Sequence, residues 1–362
     1  MNSELNQDRD VGDFDVEDVD DGDLVVGLDV GGTRTRAVLA SARDGSPRGE
    51  GTAGPGNALT VPVPQLADHL AEAVAQAVPE RLRGRVVAVT GGFAGASRTA
   101  ADEPGRLRAH SALSAALRRL GIPAASVEIC SDIEAAFASA PGHPTDGLAL
   151  VAGTGAVAAR ITGRVCTTTA GGDGWLLGDD GSGFWIGRAA VRAALRMADG
   201  RGGPTALAVA VGRALGLPGD VLPDDVLSAD VLSADVLPYD AEGAAPEWPR
   251  GQREAYRMHL LPAVMAQPPV HLARLAPLVA EAARDKDAVA EAILEEAADQ
   301  LALIVGALEP RPGERIVATG GLLGPDGPLT APLTARLHPL GLTLDWVADG
   351  SQGAVALARL SI

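Results

Sequence analysis

Leu24-Val-Val-Gly-Leu-Asp29-Val-Gly-Gly-Thr-Arg-Thr35-Arg-Ala-Val-Leu-Ala-Ser41 reads as two apolar strands joined by a tight glycine turn. Gly31 and Gly32 clear the turn of side chains, so an anion can approach its backbone N–H groups closely. Thr33 and Thr35 add hydroxyl donors. Asp29, at the end of the first strand, adds a hard oxygen ligand of the kind that a Mg²⁺ on nucleotide phosphates takes, usually through retained waters. The arrangement recurs in Leu148-Ala-Leu-Val-Ala-Gly153-Thr-Gly155-Ala-Val-Ala-Ala-Arg-Ile161, where Thr154 supplies the hydroxyl. One such turn is an ordinary hairpin. Two, one of them ending in an aspartate, predict a pair of similar domains facing each other across bound phosphates.

Working outward, further strands are predicted at Val86–Thr90, Val127–Cys130 and Arg315–Ala318, as continuous apolar runs suited to sheets covered on both faces. Helices are predicted at Val63–Val78, Arg106–Leu120, Ile133–Ala140, Gly183–Ala198, Ala276–Leu308 with breaks, and Gly353–Leu360. The alternation argues an α/β protein. No Gly-Lys-Ser/Thr follows either turn, and the only lysine is Lys286, so this is no P-loop fold. A dinucleotide fold is disfavoured too, because the first turn leads into a second strand rather than a helix.

Three segments in order then carry a resemblance. Asp29-Val-Gly-Gly-Thr-Arg-Thr35 resembles the first phosphate motif of the sugar kinase, actin and heat-shock ATPase superfamily. Val151-Ala-Gly-Thr-Gly155 resembles its second, and Ile316-Val-Ala-Thr-Gly-Gly-Leu-Leu323 its adenosine motif. Ser131-Asp-Ile-Glu-Ala-Ala136 and Gly172-Asp-Gly-Trp-Leu-Leu-Gly-Asp-Asp-Gly-Ser-Gly183 narrow the likeness to the N-acetylglucosamine kinase and BadF/BadG type ATPases, and within them to bacterial glucosamine kinases. The resemblance implies two actin-like (ribonuclease H-like) domains flanking an active-site cleft, 24–143 plus 349–362 and 144–348, with ATP and Mg²⁺ as cofactors and a homodimer as the common assembly. It implies nucleotide contacts at Gly31, Gly32, Thr33, Arg34, Thr35, Gly153, Thr154, Gly155, Gly320 and Gly321, and a metal contact at Asp29.

Phosphoryl transfer to a sugar hydroxyl needs a carboxylate placed to take the proton. Asp132 is the expected base by the family pattern. The same residues, Ser131-Asp-Ile-Glu134, also fit a helix capping box. Asn57, Glu134, Thr154, Gly174, Trp175 and Asp179 are the further expected sugar contacts, although Asn57 also suits a plain turn and Trp175 a core position. Carboxylates in these motifs, Asp179 first and Glu134 second, suit the ammonium of glucosamine better than an acetamido group, which makes N-acetylglucosamine the alternative acceptor.

The chain has 362 residues, is 46% hydrophobic and 21% charged, and carries a formal net charge of −17. That charge argues against nucleic-acid or anionic-membrane partners, which need a basic face. Part of it is an acidic leader over residues 1–23, expected to be disordered. No apolar run suits a membrane span and the leader lacks signal-peptide character, so the cytoplasm is the expected compartment. Asp-Val-Leu recurs at Asp220, Asp225, Asp230 and Asp235, a period matching neither helix nor strand, so 218–240 is expected to be a low-complexity insertion. Cys130 and Cys166 are expected in the core, without the exposed cysteine-rich loop of an iron–sulfur reductase activator. A non-catalytic sugar sensor is disfavoured, because both a base and a metal ligand are present.

Overall fold

A computed structural model describes residues 22–97, 102–223 and 248–362. The acidic leader before Gly22 and most of the Asp-Val-Leu repeat fall outside the described residues.

The first sheet contains β1 (Leu24–Val30), β2 (Thr35–Ser41), β3 (Pro47–Ala53), β4 (Val86–Phe93) and β5 (Ser126–Ser131), in the order β3-β2-β1-β4-β5. The first three form an antiparallel meander, and β4 and β5 add in parallel. The second sheet contains β6 (Gly147–Ala152), β7 (Ala156–Thr162), β8 (Val165–Gly171), β9 (Arg315–Thr319) and β10 (Thr343–Trp346), in the order β8-β7-β6-β9-β10. It repeats the same plan, an antiparallel meander with two parallel additions. The duplication read from the two glycine turns is therefore a duplication of whole sheets.

Helices α1 (Val63–Ala77) and α2 (Pro104–Leu120) cover one face of the first sheet. Helix α2 starts on Pro104, with the Glu103 carboxylate accepting from the N–H of Gly105 and Arg106, and stops at the left-handed Gly121. Leu66, Leu70, Val74 and Ala77 of α1 form a helical stripe facing Val26, Leu28 and Leu113 in one core.

The next two helices decide how the halves are joined. Helix α3 (Asp132–Ala138) leaves the last strand of the first sheet but buries Ile133, Ala136 and Phe137 against Ala149, Ala159, Ile161 and Val317 of the second. On the second sheet, α4 (Gly174–Leu177) and α5 (Gly183–Ala198) follow β8. α6 (Leu207–Ala214), α7 (Arg250–Met265), α8 (Ala276–Arg284), α9 (Ala288–Gly306) and α10 (Thr330–Leu337) complete its cover. The last helix, α11 (Ser351–Arg359), leaves the second sheet and packs Val355 and Ala358 on Val25, Val38 and Ala88 of the first. Thus each sheet sends one helix to the other. The two helices touch through small residues: a Cβ on Gly353 would lie 1.9 Å from the Ala135 carbonyl oxygen, and the Gly353 N–H donates to Ser139 Oγ at 2.8 Å. Only glycine permits that approach.

The expected strands and helices are all present, with ends shifted by a few residues. Strands β3, β8 and β10 and helices α4, α6, α7 and α10 were not expected. Cys130 is buried, but Cys166 is only half-buried on β8.

Candidate active site

The two glycine turns stand at matching corners of the sheets. In the first, β1 and β2 pair up to Val30 opposite Thr35, leaving Gly31 to Arg34 as the turn, closed by the Gly31 N–H donating to the Arg34 carbonyl at 2.9 Å. In the second, β6 and β7 pair up to Ala152 opposite Ala156, and Gly153 to Gly155 make the turn. That turn is tied to the start of α5, with the Gly183 N–H donating to the Gly153 carbonyl at 2.8 Å and the Phe184 N–H to the Thr154 carbonyl at 3.1 Å. A Cβ at Gly32, Gly153 or Gly321 would meet no atom within 4 Å, so the space above these residues is open to a ligand. Gly320 instead packs the adenosine-motif turn onto the second phosphate turn, where its Cβ would lie 2.2 Å from the Ala152 oxygen. Its contribution is to join the two motifs.

Thr33 and Arg34 are exposed on the first turn. Thr35 departs from expectation: it is fully buried, its hydroxyl finds no hydrogen-bond partner among the described residues, and it lies beneath Gly56. Its position at the start of β2 turns the side chain inward, away from the mouth of the turn.

Asp29, next to last in β1, lies beside Gly92 of β4, and Gly92 in turn packs on Ser131 and Asp132. Burial, and then the charges of Asp349 and Asp132, push the Asp29 carboxyl up to about 6. The Arg36 guanidinium lies 3.6 Å from both Asp29 and Asp349, a counter-ion shared between the first sheet and the segment entering α11. Among the described residues no group of three or more histidine, cysteine, aspartate or glutamate side chains gathers closely enough to chelate a metal alone. A Mg²⁺ carried on nucleotide phosphates and keeping its waters fits this setting, because three carboxylates bias it toward a cation and, among the described residues, Arg36 is the one arginine in ion-pair reach of Asp29 and Asp349. Asp349 and Arg36 were missed as site residues. Only the chain closure that brings residue 349 back to β2 reveals them.

Asp132 and Glu134 divide the two readings of their segment. Ser131 caps α3, its hydroxyl accepting from the Glu134 N–H at 3.2 Å while Glu134 accepts from the Ser131 N–H at 2.8 Å. The other Glu134 oxygen accepts from the Cys166 N–H of β8 at 2.8 Å, and the side chain is 2% exposed. Both oxygens are thus held by backbone amides, which corrects the expectation of Glu134 as a sugar contact: it caps α3 and fastens it to the second sheet. Asp132, the first residue of α3, accepts from the Ile133 N–H at 2.9 Å and from its own backbone N–H, and stays half-buried. Burial raises its carboxyl above the usual aspartate range.

Asp179 stands against the second phosphate turn in a left-handed conformation (φ 57°), accepting from the Ala156 N–H at 3.1 Å. A Cβ on Gly155 would lie 2.7 Å from its Oδ1, so the second glycine of the turn is what admits it. Burial raises the Asp179 carboxyl, and the charges of Asp173 and Asp180 raise it further. Gly174 opens α4, and Trp175 is 41% exposed with its ring edge-on to Phe184, so it is a surface wall rather than a core residue. Asn57 is the most local of the expected contacts. Its Oδ1 accepts from the Leu59 and Thr60 N–H groups at 2.9 and 3.2 Å, which is turn chemistry.

The sequence model of the BadF/BadG/BcrA/BcrD ATPase family matches residues 26–331. The chain belongs to this family. No curated protein matches it. Among solved structures, this BadF-type chain is similar to a Chromobacterium violaceum protein assigned as an N-acetylglucosamine kinase. The TM-score is 0.64 at 23% identity, covering 93% of this chain and 99% of that one. A Porphyromonas gingivalis protein with the same assignment gives 0.62 at 19% identity, with 93% and 99% covered. A ROK family glucokinase from Streptomyces griseus, solved with glucose and AMPPNP, gives 0.50 at 20% identity over the same shares. At these identities the likeness establishes the actin-like fold. No helix among the described residues is long and apolar enough to cross a membrane.

Proposed function

We propose that this BadF-type ATPase is a sugar kinase that transfers the terminal phosphate of ATP to glucosamine, at the 6-hydroxyl. The observation that carries the reading is Asp132, a carboxylate at the start of α3 that only backbone amides hold among the described residues, its proton affinity raised by burial, two strands away from Asp29. A raised carboxyl is a better proton acceptor at neutral pH than a free aspartate. Asp132 takes the proton of the attacking hydroxyl. The backbone N–H groups of both glycine turns orient the phosphates, and Asp29 is the residue that would hold a Mg²⁺ carried with them. When bound, that metal neutralises charge on the phosphate oxygens.

Glucosamine is favoured over a neutral hexose by the acidic loop carrying Asp173, Asp179 and Asp180 beside the second turn. With Glu134 committed to the backbone, Asp179 is the remaining partner for an ammonium group. The assignments of two structural relatives make N-acetylglucosamine the second reading. The proposal includes domains of 24–143 plus 349–362 and of 144–348, closure of the cleft on substrates, a homodimer, and action in the cytoplasm. Release of ADP, coupled to an indicator and measured with glucosamine, N-acetylglucosamine, glucose and glycerol, tests it. Turnover highest with glucosamine supports the reading, turnover highest with N-acetylglucosamine replaces the acceptor, and no turnover with any sugar overturns the kinase.

A further inference from the structure

Helix α5 carries Arg188, Arg192 and Arg196 at four-residue intervals, a stripe about 12 Å long at 1.5 Å per residue. Like charges so spaced repel one another along a helix. Elsewhere in this acidic chain many arginines are answered: Arg36, Arg119, Arg160, Arg250, Arg315 and Arg336 all sit in ion pairs. The side chains of these three make no ion pair or hydrogen bond among the described residues, and their one ring contact is Arg188 over Phe184 at 5.7 Å. They line a groove of about 410 Å³ between α5 and the first half of α9. Its floor is apolar, formed by Ala189, Ala193 and Ile293 with Trp185 at one end. The far wall carries a single acid, Glu296, and Arg201 near the end of α5 is already occupied by Asp199.

Unanswered guanidinium groups over an apolar floor are complementary to an anion with an uncharged body. Planar, weakly hydrated guanidiniums suit phosphate oxygens in particular. We propose that the groove between α5 and α9 is a second ligand site that takes a phosphorylated small molecule, its phosphate held between neighbouring arginines of the stripe and its body laid on the floor beside Trp185. The site is separate from the phosphate turns. The Gly183 N–H that contacts Gly153 begins the helix, and Arg192 lies about 14 Å further along its axis at 1.5 Å per residue. A ligand there would brace α5 against α9, and α5 is the helix whose first turn supports the second phosphate turn.

Isothermal titration of the full chain, saturated with ADP so that the phosphate turns are filled, tests the site with glucose 6-phosphate and inorganic phosphate as probes. Glucose 6-phosphate should bind more tightly than inorganic phosphate, weaken steeply with added salt, and be indifferent to excess glucosamine. The double variant Arg192→Gln/Arg196→Gln should lose roughly tenfold or more in affinity, as expected for one charge-assisted phosphate contact. Both side chains are exposed, so its melting temperature and ADP affinity should match the wild type. No binding to the ADP-saturated chain, equal binding by the variant, displacement by glucosamine, or equal affinity for inorganic phosphate would each overturn the proposal.

Discussion

Replacing Glu134 by glutamine separates a structural carboxylate from a sugar ligand. In the folded chain its oxygens accept from the Ser131 and Cys166 N–H groups, each at 2.8 Å, and the side chain is 2% exposed. Glutamine keeps one acceptor oxygen, and a capping box accepts glutamine as readily as glutamate. The amide NH₂ must then face the Cys166 N–H, donor against donor, at a hydrogen bond by which α3 grips β8. Leaving a buried donor unsatisfied costs about 1–3 kcal/mol. At about 2–4 °C per kcal/mol for a chain of some hundreds of residues, the melting temperature should fall by roughly 2–12 °C. Differential scanning calorimetry measures that fall, and specificity constants for glucosamine and glucose measure preference. The expected result is lower stability with an unchanged ratio of specificity constants. A variant that melts like the wild type but loses preference for the amino sugar would refute the structural assignment and return Glu134 to the acceptor site.

Asp29→Asn should raise the stability of the ligand-free chain at neutral pH while weakening Mg²⁺-ATP binding. Because the folded carboxyl is pushed up to about 6, the native state binds more protons than the unfolded one between the ordinary aspartate value and 6. Stability from this group therefore falls as pH rises through that window. Melting curves across it should show a shallower fall in the variant than in the wild type, the raised carboxyls of Asp132 and Asp179 supplying the remainder; identical pH dependence would contradict the charge crowding at Asp29. Gly353→Ala should destabilise by about 1–3 kcal/mol, the usual cost of overpacking, because the new Cβ meets the Ala135 oxygen at the contact between α3 and α11. Chemical denaturation checks this, and a shift below the error of the method would mean that the two helices can part at little cost.

The parts of the fold that could be read in the sequence are its buried centres. Strands β1, β4, β6 and β9 are interior, apolar on both faces, and announce themselves as continuous runs. The missed strands, β3, β8 and β10, are all sheet edges. Pro47-Arg-Gly-Glu-Gly-Thr-Ala53 and the exposed threonines of β8 carry little of the apolar pattern that burial imposes. Helices α7 and α10 contain Pro262 and Pro332, which read as breaks. At the candidate site, the positions of Asp29, Asp132 and the glycine turns were legible because they are set locally, by a turn or a helix start. The Asp29–Arg36–Asp349 bridge was not, since it forms only when α11 returns to the first sheet. Glu134 was misjudged for a related reason: the capping box is visible in four consecutive residues, but the second amide it binds comes from Cys166.

Asp132 is the proposed acceptor of the sugar hydroxyl's proton. Asp132→Asn keeps the shape of the side chain and the oxygen that accepts from Ile133 but removes the base. Turnover with the preferred sugar should fall by roughly 10²–10⁴, the range for losing general-base catalysis, while the dissociation constants for ATP and sugar stay close to those of the wild type. Turnover within threefold of the wild type would contradict the assignment.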